Sequence, residues 1–436
     1  MTELKKKLTL YGLTMIAIGS SIGSGIFISP SEVVKSIPDP LFALSVWAIG
    51  GLIALTGSLT FSELGSMFPG AGGVYIYLKK AYGDKMAFLY GWITLLVINT
   101  GALAALSLGF ANYLTFFIPL TDGEKVMIAM AVILSLTIIN VRGVGLSQMF
   151  SNVFTGLKLL ALLLIVVLGA FVFGDASRVF HANTSFLPTE HPQAFLTGLI
   201  GVLWSFGGWH HASYLSGEAI DAKRTVPKAM IIGVVVVTAI YLTANFAYFS
   251  LLNLDEFAAS QRVAGDAMNK IFTRGGQMVS LAIMISVFGT IGIYTMSAPR
   301  IYYAMAKDKI FFNVLAKVHP KFSTPYIAMG FQAVWACILL MLWGTFTELI
   351  TYTTFMDIAF MSLAGISLIV LRYKDKTTER PIKVPLYPIV PLIFILISVA
   401  FVINTLIVKP QQAIAGVVLL LIGFIAYYYF SRKSKA

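Results

Sequence analysis

Apolar runs of roughly 18–25 residues recur along this chain, each long enough to cross a hydrocarbon core as a helix. About twelve can be delimited: 10–36, 41–67, 86–118, 125–142, 149–174, 193–216, 227–252, 276–306, 325–345, 347–371, 385–408 and 411–430. Of the 436 residues, 58% are hydrophobic and only 11% are charged. A soluble domain carries about 25% charged residues, so the solvating surface of a soluble enzyme is missing. A disordered chain and a disulfide-stapled secreted domain are excluded on the same composition. The run 10–36 continues past any plausible cleavage point and no Ala-x-Ala-like site follows, so it is expected to be a retained span and not a signal peptide. The expected fold is an all-α membrane protein of about 12 transmembrane helices, forming one domain over 1–436.

An even number of spans puts both termini on one face. With the amino terminus in the cytoplasm, 23 of the 31 Lys and Arg fall in cytoplasmic segments, seven fall outside, and Lys158 sits within the fifth span. The positive-inside rule then places both termini in the cytoplasm. The net charge of +12 is thereby a topology signal and a lipid-facing fringe, and nucleic acid is not an expected partner. The single cysteine, Cys337, lies inside an apolar run, which leaves no disulfide framework and no cysteine metal site. No cofactor is expected.

Two spans are interrupted. The first carries Gly19-Ser20-Ser21-Ile22-Gly23-Ser24-Gly25 and the sixth carries Ser205-Phe206-Gly207-Gly208-Trp209. Glycine costs a helix about 1 kcal/mol relative to alanine, and any backbone group it frees in lipid must find another partner. Close helix–helix approach is the ordinary explanation, and Gly19 with Gly23 has small-xxx-small spacing. The pair of breaks points elsewhere, because each falls mid-way along the first span of a five-span block, 10–174 and 193–371. Corresponding Gly-interrupted segments in two halves mark a transporter's substrate site. Five is odd, so the second block is inserted upside down, giving a 5+5 inverted repeat with helices 11 and 12 (385–430) appended.

The chemistry follows from the interruption. The second half of a broken helix starts with free N–H groups and partial positive charge, which can hold a carboxylate. The first half ends in free carbonyls, which accept from an ammonium. Two facing breaks therefore form a receptor for a zwitterion such as an α-amino acid.

At these residues the chain resembles the amino acid–polyamine–organocation transporters, in particular the L-type amino acid transporter branch. The resemblance rests on Gly19–Phe27, on Gly72-Gly73-Val74-Tyr75-Ile76-Tyr77 with Tyr82-Gly83, and on Gly207-Gly208-Trp209. Arg300 with Tyr303 and Ala304, His319-Pro320 with Thr324-Pro325, and Arg380-Pro381-Ile382-Lys383-Val384-Pro385-Leu386 extend it to the loop before the eleventh span. The composition is similar to bacterial alanine–serine–cysteine or serine–threonine exchangers. The resemblance implies alternating access and exchange of small neutral L-amino acids. It implies that Ser24 and Gly25, in the unwound stretch with Gly23, offer N–H groups to the substrate carboxylate. The carbonyls of Ser21, Trp204 and Gly207 would meet its ammonium, and Trp204 would form an extracellular-side lid. A lysine at 158 takes the place of the sodium of coupled relatives, bridging the first break to the eighth span near Ser286 and Thr290, which implies sodium independence. His210-His211 depart from the family's usual residues after Gly-Trp. Animal relatives can be tethered to a companion subunit through an extracellular cysteine; Cys337 lies in the ninth span and cannot serve, so no disulfide-linked companion is expected. The chain carries no appended soluble domain, which fits a bacterial inner membrane protein.

Other residues admit two readings. A cation near mid-membrane costs about 2.5–3.5 kcal/mol on insertion scales, so Lys158 faces protein or water and marks function, or snorkels to an interface. Adjacent His210 and His211 point roughly 100° apart on a helix and have no ligand-spaced partners, which argues against a metal; His210 lines a pocket and titrates, or is structural. Tyr241 is a possible partner of the site. Glu63 ends the second span, and Glu218 with Lys223, Arg224 and Lys228 reads as a solvated loop in preference to an inner gate. The aromatic tail Tyr427–Phe430 before Arg432-Lys433 reads as an interfacial belt. Rival functions are a proton-coupled symporter, a polyamine exchanger, a receptor, and a membrane-embedded enzyme using the His pair. The broken spans carry no acid in their apolar parts, which weighs against polyamines, and no nucleophile–base–orienter set supports an enzyme.

Overall fold

The computed structural model describes residues 4–180, 192–342, 346–408 and 410–435, and these are almost entirely helical. Among them no strand forms; the one β-like feature is an isolated parallel bridge between Leu8 and Ala219. The helices that matter for the site are α1 Leu10–Ser21, α2 Gly25–Ser36, α3 Pro40–Met67, α4 Val74–Tyr82, α5 Asp84–Leu114, α6 Asp122–Val141 and α7 Val144–Val172. The second half holds α8 Pro192–Phe206, α9 His211–Tyr214, α10 Ala222–Leu251, α11 Gly275–Ser297, α12 Pro299–Lys307, α13 Tyr326–Leu342, α14 Phe346–Lys374, α15 Ile389–Val408 and α16 Pro410–Lys435. Eight helices among the described residues are long and apolar enough to cross a membrane by length and composition, or nine if α1 and α2 count as one bent span. Of the remaining apolar runs, α8 has 15 residues because the sixth run is broken, and α13 has 17. Lys409, counted above on the outer side, lies outside the described residues.

Sequence signals set several of the helix starts. Thr9 accepts from the Gly12 N–H at the head of α1, and Asp39 accepts from Phe42 N–H with Pro40 at the first helical position of α3. Thr121 and Glu124 form a reciprocal capping box on α6. Each satisfies donors that a helix start leaves open.

Burial then sorts the helices. The most apolar window of α5 is 89% buried, whereas that of α7 is 33% buried. α5 therefore runs through the middle and α7 lies on the outside, where Leu157, Leu160, Leu163 and Phe171 are exposed. An apolar outer surface is what a hydrocarbon solvent requires. α3 packs most extensively on α10, α7 on α11, and α2 on α8. These pairings bring the two interrupted helices together at the centre.

Candidate substrate site

The ladder of α1 closes at Ile22 N–H to Ile18 O (2.9 Å) and Gly23 N–H to Ser21 O (2.9 Å). It then stops, and α2 departs at 42° from α1. The first N–H groups of α2, at Gly25 and Ile26, have no intrahelical acceptor and carry the positive end of its dipole, whereas Phe27 N–H already reaches Ser24 O at 3.1 Å. In the sixth run, α8 ends at Phe206 and Gly207 N–H folds back onto Trp204 O at 3.1 Å. Gly208 then takes φ +100°, a conformation that side-chain-bearing residues rarely adopt. The chain returns to helix with His211 N–H on Gly208 O at 2.8 Å.

The breaks touch one another. Ser20 Oγ lies 2.8 Å from Gly208 O and shares its one proton between that carbonyl and Ile16 O at 2.6 Å. A Cβ placed on Gly208 would lie 2.6 Å from Ser20 O, and one on Gly25 would lie 2.3 Å from Ser205 Oγ. The glycines thus serve close approach and interruption together, so the two sequence readings do not compete.

Two side chains hold this arrangement from behind. Lys158, 1% exposed, donates to Gly19 O at 3.0 Å, Ile22 O at 2.7 Å and Thr290 Oγ1 at 2.8 Å. Three ammonium protons meet three acceptors. Ser286 Oγ reaches Ile22 O at 3.3 Å, so it joins the freed carbonyl and not the ammonium. Tyr241 OH lies 2.9 Å from Ser21 O and 2.8 Å from Ser205 O, spanning the ends of α1 and α8. Its single proton serves one carbonyl at a time, and Ser21 O also accepts from Gly23 N–H.

In front of the breaks lies a small cavity. Ser21, Gly23, Ser24 and Gly25 from the first break, and Trp204, Gly207 and His210 from the second, share its wall. Lys158 and Tyr241 do not line it; they act on the backbone that does. The wall also holds His211, whose role the sequence left open, and residues that the sequence reading missed: Ser20, Tyr294, Thr353, Thr354 and Asp357. Asp357 comes from α14, and its Oδ1 lies 3.9 Å from His210 Nε2, too far for a hydrogen bond. His211 Nδ1 is bonded to Ser297 Oγ at 2.6 Å. Ser24 Oγ, Thr354 Oγ1 and Asp357 Oδ1 are buried with no hydrogen-bond partner among the described residues. An acid inside the apolar run 347–371 is itself a functional signal. It escaped because acids were weighed only in the two broken spans.

Glu218 corrects an expectation. It is fully buried and forms a bidentate pair with Arg300, at 2.6 Å to Nε and 3.1 Å to Nη2, so it is no solvated loop residue. Arg300 also donates to Met296 O. Lys223, expected beside it, instead meets Glu379 at 2.8 Å on the surface, and this hydrogen bond holds the Glu379 carboxyl below its usual range. Glu63 is likewise fully buried, facing Arg372 at 2.6 Å and Arg380 at 3.3 Å and accepting Val384 N–H at 2.8 Å. Both acids belong to the polar scaffold beneath the site. Cys337 is buried in α13. Among the described residues no three His, Cys, Asp or Glu gather in a way that could hold a metal.

Comparison with known proteins agrees with this geometry. A family model for amino acid permeases matches residues 8–428. The serine/threonine exchanger SteT of Bacillus subtilis (strain 168) is 31% identical, with 99% of this chain aligned to 98% of that protein. The b(0,+)-type amino acid transporter 1 of Mus musculus is 31% identical, with 98% of this chain and 88% of that protein aligned. The large neutral amino acids transporter small subunit 2 of Homo sapiens is 31% identical, with 99% and 82% aligned. Transporters, not enzymes, make up this set. The chain belongs to the amino acid permease family, in the L-type branch of the amino acid–polyamine–organocation superfamily, and is a multi-pass membrane transporter of amino acids.

Proposed function

We propose that this protein exchanges small neutral L-amino acids across a bacterial inner membrane by alternating access, without sodium. The observation that carries the proposal is the convergence of two unwound segments on one cavity. The N–H groups at Ser24 and Gly25 receive the substrate carboxylate, and the carbonyls of Ser21, Trp204 and Gly207 receive its ammonium. Neither element places a fixed charge beside the zwitterion's own charges. Trp204, partly buried on the cavity wall, is the lid. Lys158 replaces a sodium ion, since its ammonium fills the carbonyl cluster at Gly19 and Ile22 that a cation would otherwise occupy.

Helix pairing supports a 5+5 inverted repeat over 10–174 and 193–371; the twelve spans and the cytoplasmic termini of the proposal rest on the apolar runs and the placement of Lys and Arg. α1 packs on α10 as α8 packs on α3, α7 packs on α11 as α14 packs on α5, and α1 packs on α7 as α8 packs on α14. In these three cases a contact of one block has its counterpart in the other. No disulfide-linked companion subunit enters the proposal.

Counterflow in proteoliposomes tests it. Trapped unlabelled amino acid should accelerate uptake of labelled amino acid, equally with and without Na⁺. Uptake that ignores the trapped pool, or that requires Na⁺, overturns the exchange or the sodium independence respectively. Proton-coupled symport is the second reading, favoured by His210 and Asp357 facing each other at 3.9 Å across the cavity wall. It requires a pH gradient alone to drive accumulation into empty vesicles.

A further inference from the structure

Three polar atoms on the cavity wall are buried and unpartnered, but they differ in kind. Ser24 Oγ and Thr354 Oγ1 are hydroxyls, each able to donate as well as accept. Asp357 Oδ1 belongs to a carboxylate, an acceptor only when ionised. Burying such an oxygen without a donor is costly, and native structures rarely leave one so without a functional reason. The obvious protein donors are engaged or too far away. His210 Nε2 stands at 3.9 Å. Lys158, the nearest structural cation of the break, has all three protons committed to Gly19, Ile22 and Thr290. The backbone elements that would hold the α-carboxylate and α-ammonium come from α1, α2 and α8. Asp357 comes from α14, a separate element on the same wall. It is therefore placed to meet the remaining part of an amino acid, its side chain.

We propose that Asp357 is the side-chain acceptor of the substrate pocket, so that the preferred amino acids carry an O–H or N–H donor on the side chain and simple aliphatic ones are disfavoured. The inference rests on the exchange reading above and narrows it from small neutral amino acids to donor-bearing ones. The selectivity has a physical basis. A donor-bearing substrate satisfies Oδ1, whereas an aliphatic one seals the carboxylate into a dry site unpaired.

The test is competition against counterflow by the full-length protein in proteoliposomes, with serine against alanine and threonine against valine. Within each pair the substrates differ chiefly in the donor. The wild-type protein should favour serine over alanine by about tenfold. In Asp357→Ala that ratio should fall to near one, and in Asp357→Asn, which keeps one acceptor oxygen, it should lie between. Equal inhibition by both members of each pair in the wild-type protein overturns the proposal, as does an unchanged ratio in both variants. Should Asp357→Ala fail to purify as a folded protein, the wild-type ratio and Asp357→Asn decide alone. Absence of counterflow with every amino acid, serine and alanine included, is a different result: it removes the exchange reading itself.

Discussion

Lys158 and Asp357 are ionisable groups of opposite sign in the same buried centre, and their surroundings differ. Every proton of the Lys158 ammonium has an acceptor, supplied by two backbone carbonyls and the Thr290 hydroxyl. One oxygen of Asp357 is buried with no donor among the described residues, and the residue lines the cavity. A saturated charge has no capacity left for a ligand and serves to fix geometry. An unsaturated one is held ready for something that arrives and leaves. The Arg300–Glu218 pair belongs with Lys158 on the saturated side, since both oxygens of Glu218 are taken by one guanidinium.

This contrast predicts a graded set of stabilities. Arg300→Ala should have the largest effect, about 3–5 kcal/mol of lost stability, because it strands Glu218 fully buried. Thermal unfolding in detergent measures it, and a Glu218→Leu, Arg300→Met double variant should recover most of the loss. Lys158→Ala should come next, at about 3 kcal/mol, since it leaves the carbonyls of Gly19 and Ile22 short of donors. The same variant should lose counterflow by about 100-fold, because the break it shapes is the carboxylate site. Retention of wild-type transport by Lys158→Ala would erase the distinction between the two charges. Tyr241→Phe should cost about 1 kcal/mol, the worth of one shared hydroxyl bond. Asp357→Asn should change the stability of the substrate-free protein least, by under about 0.5 kcal/mol or with a slight gain, because no bond is lost. A large loss there would mean that Asp357 is structural after all.

Much of this centre was legible in the chain. The glycine clusters at 19–25 and 205–209 gave both breaks, because glycine in a membrane helix changes the backbone itself and leaves a local mark. Lys158 stood out because a lone cation in an apolar run has few uses. What the sequence hid depended on distance through space. Glu218 sits beside three basic residues in the chain, yet its partner is Arg300, brought in by the packing around α11 and α12. Asp357 lies in a run with no break of its own, and only the crossing of α14 in front of the second break puts it on the wall. The sixth run also shows how an interrupted span escapes a length criterion: α8 keeps 15 residues because the backbone turns aside at Gly207.

The carbonyls freed at the first break have a consequence for biosynthesis. Those of Gly19 and Ile22 find Lys158 only 139 and 136 residues further on, and Thr290 only 271 and 268 residues further on. A ribosome that has delivered the opening segment to the translocon has yet to make either partner. Until they emerge, unpaired carbonyls in hydrocarbon are too costly to persist, so the nascent segment stays a regular helix or stays hydrated. The kink is therefore a late event in maturation, installed when the fifth and eighth spans arrive, and a chain truncated before residue 290 would carry its opening span unfinished.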